Sequence, residues 1–147
     1  MSPFDKTRLA HVRTASLSPY TLLGTVRKHA IVVDEPEDLG GGDFGPDPME
    51  MVALSLAACT SLTLKMYAQR RKWDLTDLSV SVTHDSFKQE DGQRGDHFRV
   101  TLTLPPEIEE AQRVKLDEIV QKCPVHKMLH GSCVIEREWR HTAGATA

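Results

Sequence analysis

Aromatic residues are scarce in this chain, with Phe, Trp and Tyr together making 5% of its 147 residues. A surface that stacks nucleic-acid bases needs such rings, and it also needs an excess of positive charge. Here 21 acidic side chains face 18 basic ones, for a formal net charge of −3, so no nucleic-acid partner is expected. Cysteine is limited to three, an odd count that argues against a secreted disulfide scaffold and directs attention to reactive or buried thiols. Long apolar runs are missing as well. The longest uncharged stretch, 51–64, falls short of the roughly 18–20 residues that span a bilayer. Residues 1–10 have no apolar segment behind a basic start, so no secretory leader is expected, and there is no internal repeat or low-complexity tract.

What remains is the balance of a soluble globular protein, 39% hydrophobic and 27% charged. The expectation is a single cytoplasmic domain over residues 1–147, with 1–19 as a peripheral polar segment and 141–147 as a disordered tail. Residues 20–26 and 29–34 are rich in β-branched and aliphatic side chains and read as strands, with Arg27 and Lys28 either between them or within one bent strand. Residues 9–13 are a further short strand candidate. The segment 35–46 holds four glycines and two prolines, which make it a loop. Asp47 then offers an N-cap, Pro48 a first-turn proline and Glu50 the other half of a capping box. The helix they start should run to about 69–72, with Arg70, Arg71 and Lys72 at its negative end.

From 51 to 64 this helix is apolar or small on every side, the pattern of a helix buried all round. One small domain lacks the material to cover it, and a second subunit would supply it. Residues 75–84 and 98–104 alternate polar with apolar and join through 89–95 as a hairpin. An amphipathic helix is expected over 107–122, then a short helix that Cys123 caps, Pro124 starts and Gly131 ends. Residues 133–139 read as a closing strand with Cys133 in the core. The order β-β-(β)-α-β-β-α-α-β is an α+β fold.

Two thiols are candidates for chemistry. Cys123 precedes a helix start, where backbone N–H groups and the helix dipole lower a thiol pKa, and a charged His126 would reinforce the effect. Cys59, in the middle of the apolar helix, reads by itself as a small buried hydrophobe. From the residues alone Cys123 is the activated thiol and Cys59 is undecided. A zinc site built from Cys59, His84, Cys123 and His126 is disfavoured, because Cys-x-x-His occurs once and no second pair has ligand spacing. The glycines at 40–42 lack the Gly-Lys-Ser/Thr continuation of a phosphate loop.

Asp34-Glu35-Pro36, Gly40-Gly41, Gly45-Pro46-Asp47-Pro48 and Ala57-Ala58-Cys59-Thr60-Ser61 occur in that order. Tyr67-Ala68, Trp73 and Cys123-Pro124-Val125-His126-Lys127 follow. This ordered set resembles the OsmC/Ohr family of small two-cysteine thiol peroxidases over most of 20–139, and its wording is closer to a less characterised OsmC-like branch than to Ohr. The resemblance implies an intertwined homodimer with central buried helices, active sites at the subunit interface, and reduction of organic hydroperoxides without a metal or organic cofactor. It makes Cys59 the peroxidatic thiol and Cys123 the resolving thiol, with an external dithiol of the lipoyl type as reductant. The family's activating arginine and glutamate carry over only as candidates, Arg27 and Glu50, with His29 an alternative polar partner. Met49 holds the family's glutamate position, and Glu50, one position on, is rotated by about 100°. Without a cationic neighbour Cys59 would be a poor nucleophile. The rival reading is then a non-peroxidase OsmC-like protein that binds a small apolar or thiol-reactive ligand at the dimer interface, as redox sensor or binding protein.

Overall fold

The computed structural model describes residues 7–142. Three short strands rich in aliphatic and β-branched residues, β1 (Ala10–Thr14), β2 (Leu22–Val26) and β3 (His29–Val33), form an antiparallel sheet in the order β1-β2-β3. Val26 pairs with His29, so Arg27 and Lys28 alone make the turn and the two strands are a hairpin, not one bent strand. Arg27 takes a left-handed backbone (φ 55°), as tight two-residue hairpin turns require.

The loop beyond β3 is organised by one carboxylate. Asp34, 2% exposed, accepts hydrogen bonds from Ser18 Oγ (3.0 Å) and Thr21 Oγ1 (2.9 Å). It also accepts from the backbone N–H groups of Glu35 (2.8 Å), Gly42 (3.2 Å) and Phe44 (3.4 Å). Burial alone would raise its pKa, but the bonds from Thr21, Glu35, Ser18 and Phe44 outweigh burial and hold it below the ordinary carboxylate value. The loop packs so closely that a Cβ on Gly41 would collide with the Glu35 carbonyl, and one on Gly45 with the Val32 carbonyl.

Helix α1 (Pro48–Arg71) starts where its capping chemistry places it. Glu50 N–H donates to Asp47 Oδ1 (2.8 Å), and Asp47 N–H donates to Glu50 Oε2 (2.9 Å). Lys72, at φ 59°, ends it. Leu56, Thr60, Leu64 and Ala68 form its buried stripe, one residue per turn. The rest is open in the single chain: Leu54, Leu62 and Met66 are 64%, 55% and 58% exposed. Burial on every side is therefore not met within one chain, because the chain covers only one stripe. By length and composition alone α1 could cross a membrane, a test that the core helix of a soluble protein also passes.

Strands β4 (Ser79–Lys88) and β5 (Arg94–Thr103) form a two-stranded antiparallel sheet that packs against α1. Helix α2 (Glu110–Val120) is shorter than its amphipathic pattern, because residues 107–109 are spent on a turn and on a second capping box, Glu109 with Gln112. Leu64 and Ala68 of α1, Leu75, Leu78, and Leu116 and Ile119 of α2 make the core, with Tyr67, Trp73, Val80 and Leu102 packed around it. Helix α3 (Pro124–His130) follows directly, so the fold is α+β, with three α-helices and two small sheets among the described residues.

The expected closing strand at 133–139 is not formed. A strand needs a backbone partner as well as alternation, and among the described residues no strand pairs with this segment, which has no regular structure. Val134 and Trp139 are each 89% exposed, and Cys133, expected in the core, is exposed with them. Residues 1–6 of the peripheral segment and 143–147 of the expected tail lie outside the described residues.

Candidate functional site

The α1–α3 contact brings two of the expected site residues together. Cys59 sits midway along α1, half-buried, on the side that meets the first turn of α3. Cys123 caps α3, is wholly buried, and its Sγ accepts the His126 N–H at 3.5 Å, the capping geometry expected for it. Across this contact the Cys123 thiol and the Val125 N–H come close enough to the Cys59 thiol to act on its titration. One turn along α1, the Thr63 hydroxyl donates to the Cys59 carbonyl (2.7 Å) and also interacts with its thiol.

Burial is the largest influence on Cys59 and pushes its pKa above the ordinary thiol value. The neighbouring Cys123 thiol raises it further. The Val125 N–H and Thr63 act in the opposite direction without offsetting that rise. None of these three groups is a cation. The arrangement is a thiol pair with unequal access: Cys59 reaches solvent and Cys123 does not.

Arg27 and Glu50 are elsewhere. Arg27, on the β2–β3 turn, lines a cavity of about 710 Å³ with Arg8, His11, Thr25 and Val26, none of which belongs to α1 or α3. Glu50 is held in its capping box at the start of α1, nine residues and so about 13–14 Å of helix rise from Cys59. Its neighbour Met49 is a third exposed. His29 lies exposed at the start of β3. Among the described residues no three His, Cys, Asp or Glu side chains come together as a metal-ligand group. His84 bonds Asp96 Oδ1 (2.8 Å) on the β4–β5 hairpin, and the His126 ring stacks on His130.

Sequence reasoning missed two participants, the Thr63 hydroxyl and the Val125 N–H. Thr63, four residues after Cys59, was open to a helical-spacing argument. The Val125 contact depends on how α3 docks and leaves no local signal. Thr60, next to Cys59 on the buried stripe, holds a buried hydroxyl without a hydrogen-bond partner.

The family model for OsmC-like proteins matches residues 40–138, a span that includes both thiols of the pair. No curated protein matches the chain. Among solved structures, an OsmC-like protein from Mycoplasma pneumoniae superposes with a TM-score of 0.72 at 21% identity, covering 86% of this chain and 89% of that one. An organic hydroperoxide resistance protein OsmC from Legionella pneumophila gives 0.66 at 15% identity over 86% and 91%. The organic hydroperoxide resistance protein OhrB of Bacillus subtilis gives 0.63 at 18% identity over 86% and 92%. Identities this low speak to the fold alone, while the family match covers about two thirds of the sequence: the chain belongs to the OsmC-like protein family.

Proposed function

We propose that this protein is a cytoplasmic, thiol-dependent peroxidase that reduces organic hydroperoxides. The observation that carries the reading is the juxtaposition of half-buried Cys59 and wholly buried Cys123 at the α1–α3 contact. Unequal access sets the order of events. The Cys59 thiolate attacks the outer peroxide oxygen; the O–O bond breaks, the leaving alkoxide takes a proton and departs as the alcohol, and Cys59 becomes a sulfenic acid. The Cys123 sulfur then attacks the Cys59 sulfur, and the hydroxyl leaves as water with the thiol's proton. An external dithiol, of the lipoyl type by resemblance, restores both thiols by exchange and is itself oxidised to a disulfide. Relatives named for organic hydroperoxide resistance support this substrate class. The apolar side of α1 left open in the single chain supports a homodimer, in which Arg27 or Glu50 of either subunit would be the candidate activating group.

The test is consumption of cumene hydroperoxide by the reduced protein with dihydrolipoamide, together with mass spectrometry of the product. Consumption at least a hundredfold above Cys59→Ser, with a Cys59–Cys123 disulfide in the wild type, is expected. A wild-type rate equal to that of Cys59→Ser would reject the proposal.

A specific observation favours a second reading. Burial raises the Cys59 pKa and none of the main influences on it is a cation, which suits a pocket that binds a small apolar or thiol-reactive ligand.

A further inference from the structure

Helix α3 carries a feature that peroxide chemistry does not use. His126 and His130 are four residues apart, so their side chains lie one above the other on the same helix face. Their rings are parallel to within 22°, with centroids 5.9 Å apart. Stacked in this way the rings present faces to each other, and a rotation of the two side chains is what would aim both in-plane nitrogens at one ion. Two imidazoles on one metal, with metal–nitrogen bonds of about 2.0–2.1 Å, have ring centres about 5–6 Å apart, a separation this pair already has. Histidines at this helical spacing recur as paired metal ligands because one turn of helix delivers two nitrogens to the same point. His130 is exposed and His126 is half-buried, so the pair can be reached from solvent.

We propose that His126 and His130 form a two-imidazole binding site for a divalent transition ion of the Zn²⁺, Ni²⁺ or Cu²⁺ class. Ligand chemistry sets the class, since two neutral nitrogen donors without a carboxylate suit these ions and not Mg²⁺ or Ca²⁺. No third protein ligand joins the pair among the described residues, so water fills the remaining positions. Cys123 is not that third ligand, because its sulfur is buried and already accepts the His126 N–H. The site would join the first and last turns of a seven-residue helix, a length too short to be stable by itself. It stands independently of the peroxidase reading.

Zn²⁺ titrated into the full-length reduced protein tests it, followed by histidine ring resonances in ¹H–¹⁵N NMR. One equivalent should shift the His126 and His130 rings together and leave those of His11 and His29 in place. His130→Gln should weaken binding at the His126 ring roughly tenfold or more, because the second ligand then has no tether. Cys59→Ser should leave the ring shifts unchanged. Far-UV circular dichroism of His130→Gln, expected to match the wild type, separates lost ligation from lost folding. Zn²⁺ that perturbs only the cysteines, ring shifts that survive His130→Gln, or no ring shift at millimolar Zn²⁺ would each overturn the proposal.

Discussion

A thiol attacks as its thiolate, so the burial that raises the Cys59 pKa also sets a pH profile. Its ordinary value is 9.0 and the shift is upward, so alkylation of Cys59 by iodoacetamide should still be climbing at pH 9. Saturation below pH 8 would instead place a cation from outside the single chain beside the sulfur. Asp34 has the opposite sign. Its folded pKa lies below 3.8, so its contribution to stability is complete above that value and is lost as pH falls through the lowered one. Asp34→Asn should therefore lower the urea midpoint at pH 7, and the gap to the wild type should close below about pH 4. Asp34 was visible in the sequence only as part of a family motif. Its partners Ser18 and Thr21 lie sixteen and thirteen residues away, and no local pattern connects a carboxylate to hydroxyls at those distances.

At the scale of elements, the readable features were those whose cause lies within a few residues. The start of α1 was legible because Asp47, Pro48 and Glu50 satisfy the first N–H groups by themselves. Asp47→Ala should cost about 1 kcal/mol in chemical denaturation, while Asp47→Ser should cost much less. The β4–β5 hairpin was legible for the same reason, since it joins neighbours in sequence, whereas Arg27 and Lys28 left a turn and a single bent strand equally open until the β2–β3 pairing decided it. The segment 133–139 was not legible, because its alternation of apolar residues is real but pairing is a property of two strands. The docking of α3 on α1, which creates the thiol pair, is equally non-local. Cys123 came forward from its position ahead of a helix start and Cys59 only through resemblance, and no pattern placed the two side by side.

For the whole molecule, the open side of α1 is decisive. An exposed leucine on a monomer changed to a charge usually shifts stability by no more than about 0.5 kcal/mol. If the same leucine is buried between two copies, the charge breaks the assembly. The wild type should sediment at twice its 16.4 kDa, and Leu62→Asp should sediment as a single chain. A wild type that sediments as a monomer would remove the interface site. The placement of the thiol pair also bears on the protein's birth. Roughly sixty residues separate Cys59 from Cys123, several seconds of synthesis at about 5–20 residues per second. If Cys123 resolves Cys59 as proposed, each nascent chain carries its outer thiol into the cell before the sulfur that would rescue it has been made. A sulfenic acid formed in that interval has no neighbour to close on, and further oxidation would end that copy's working life before it began.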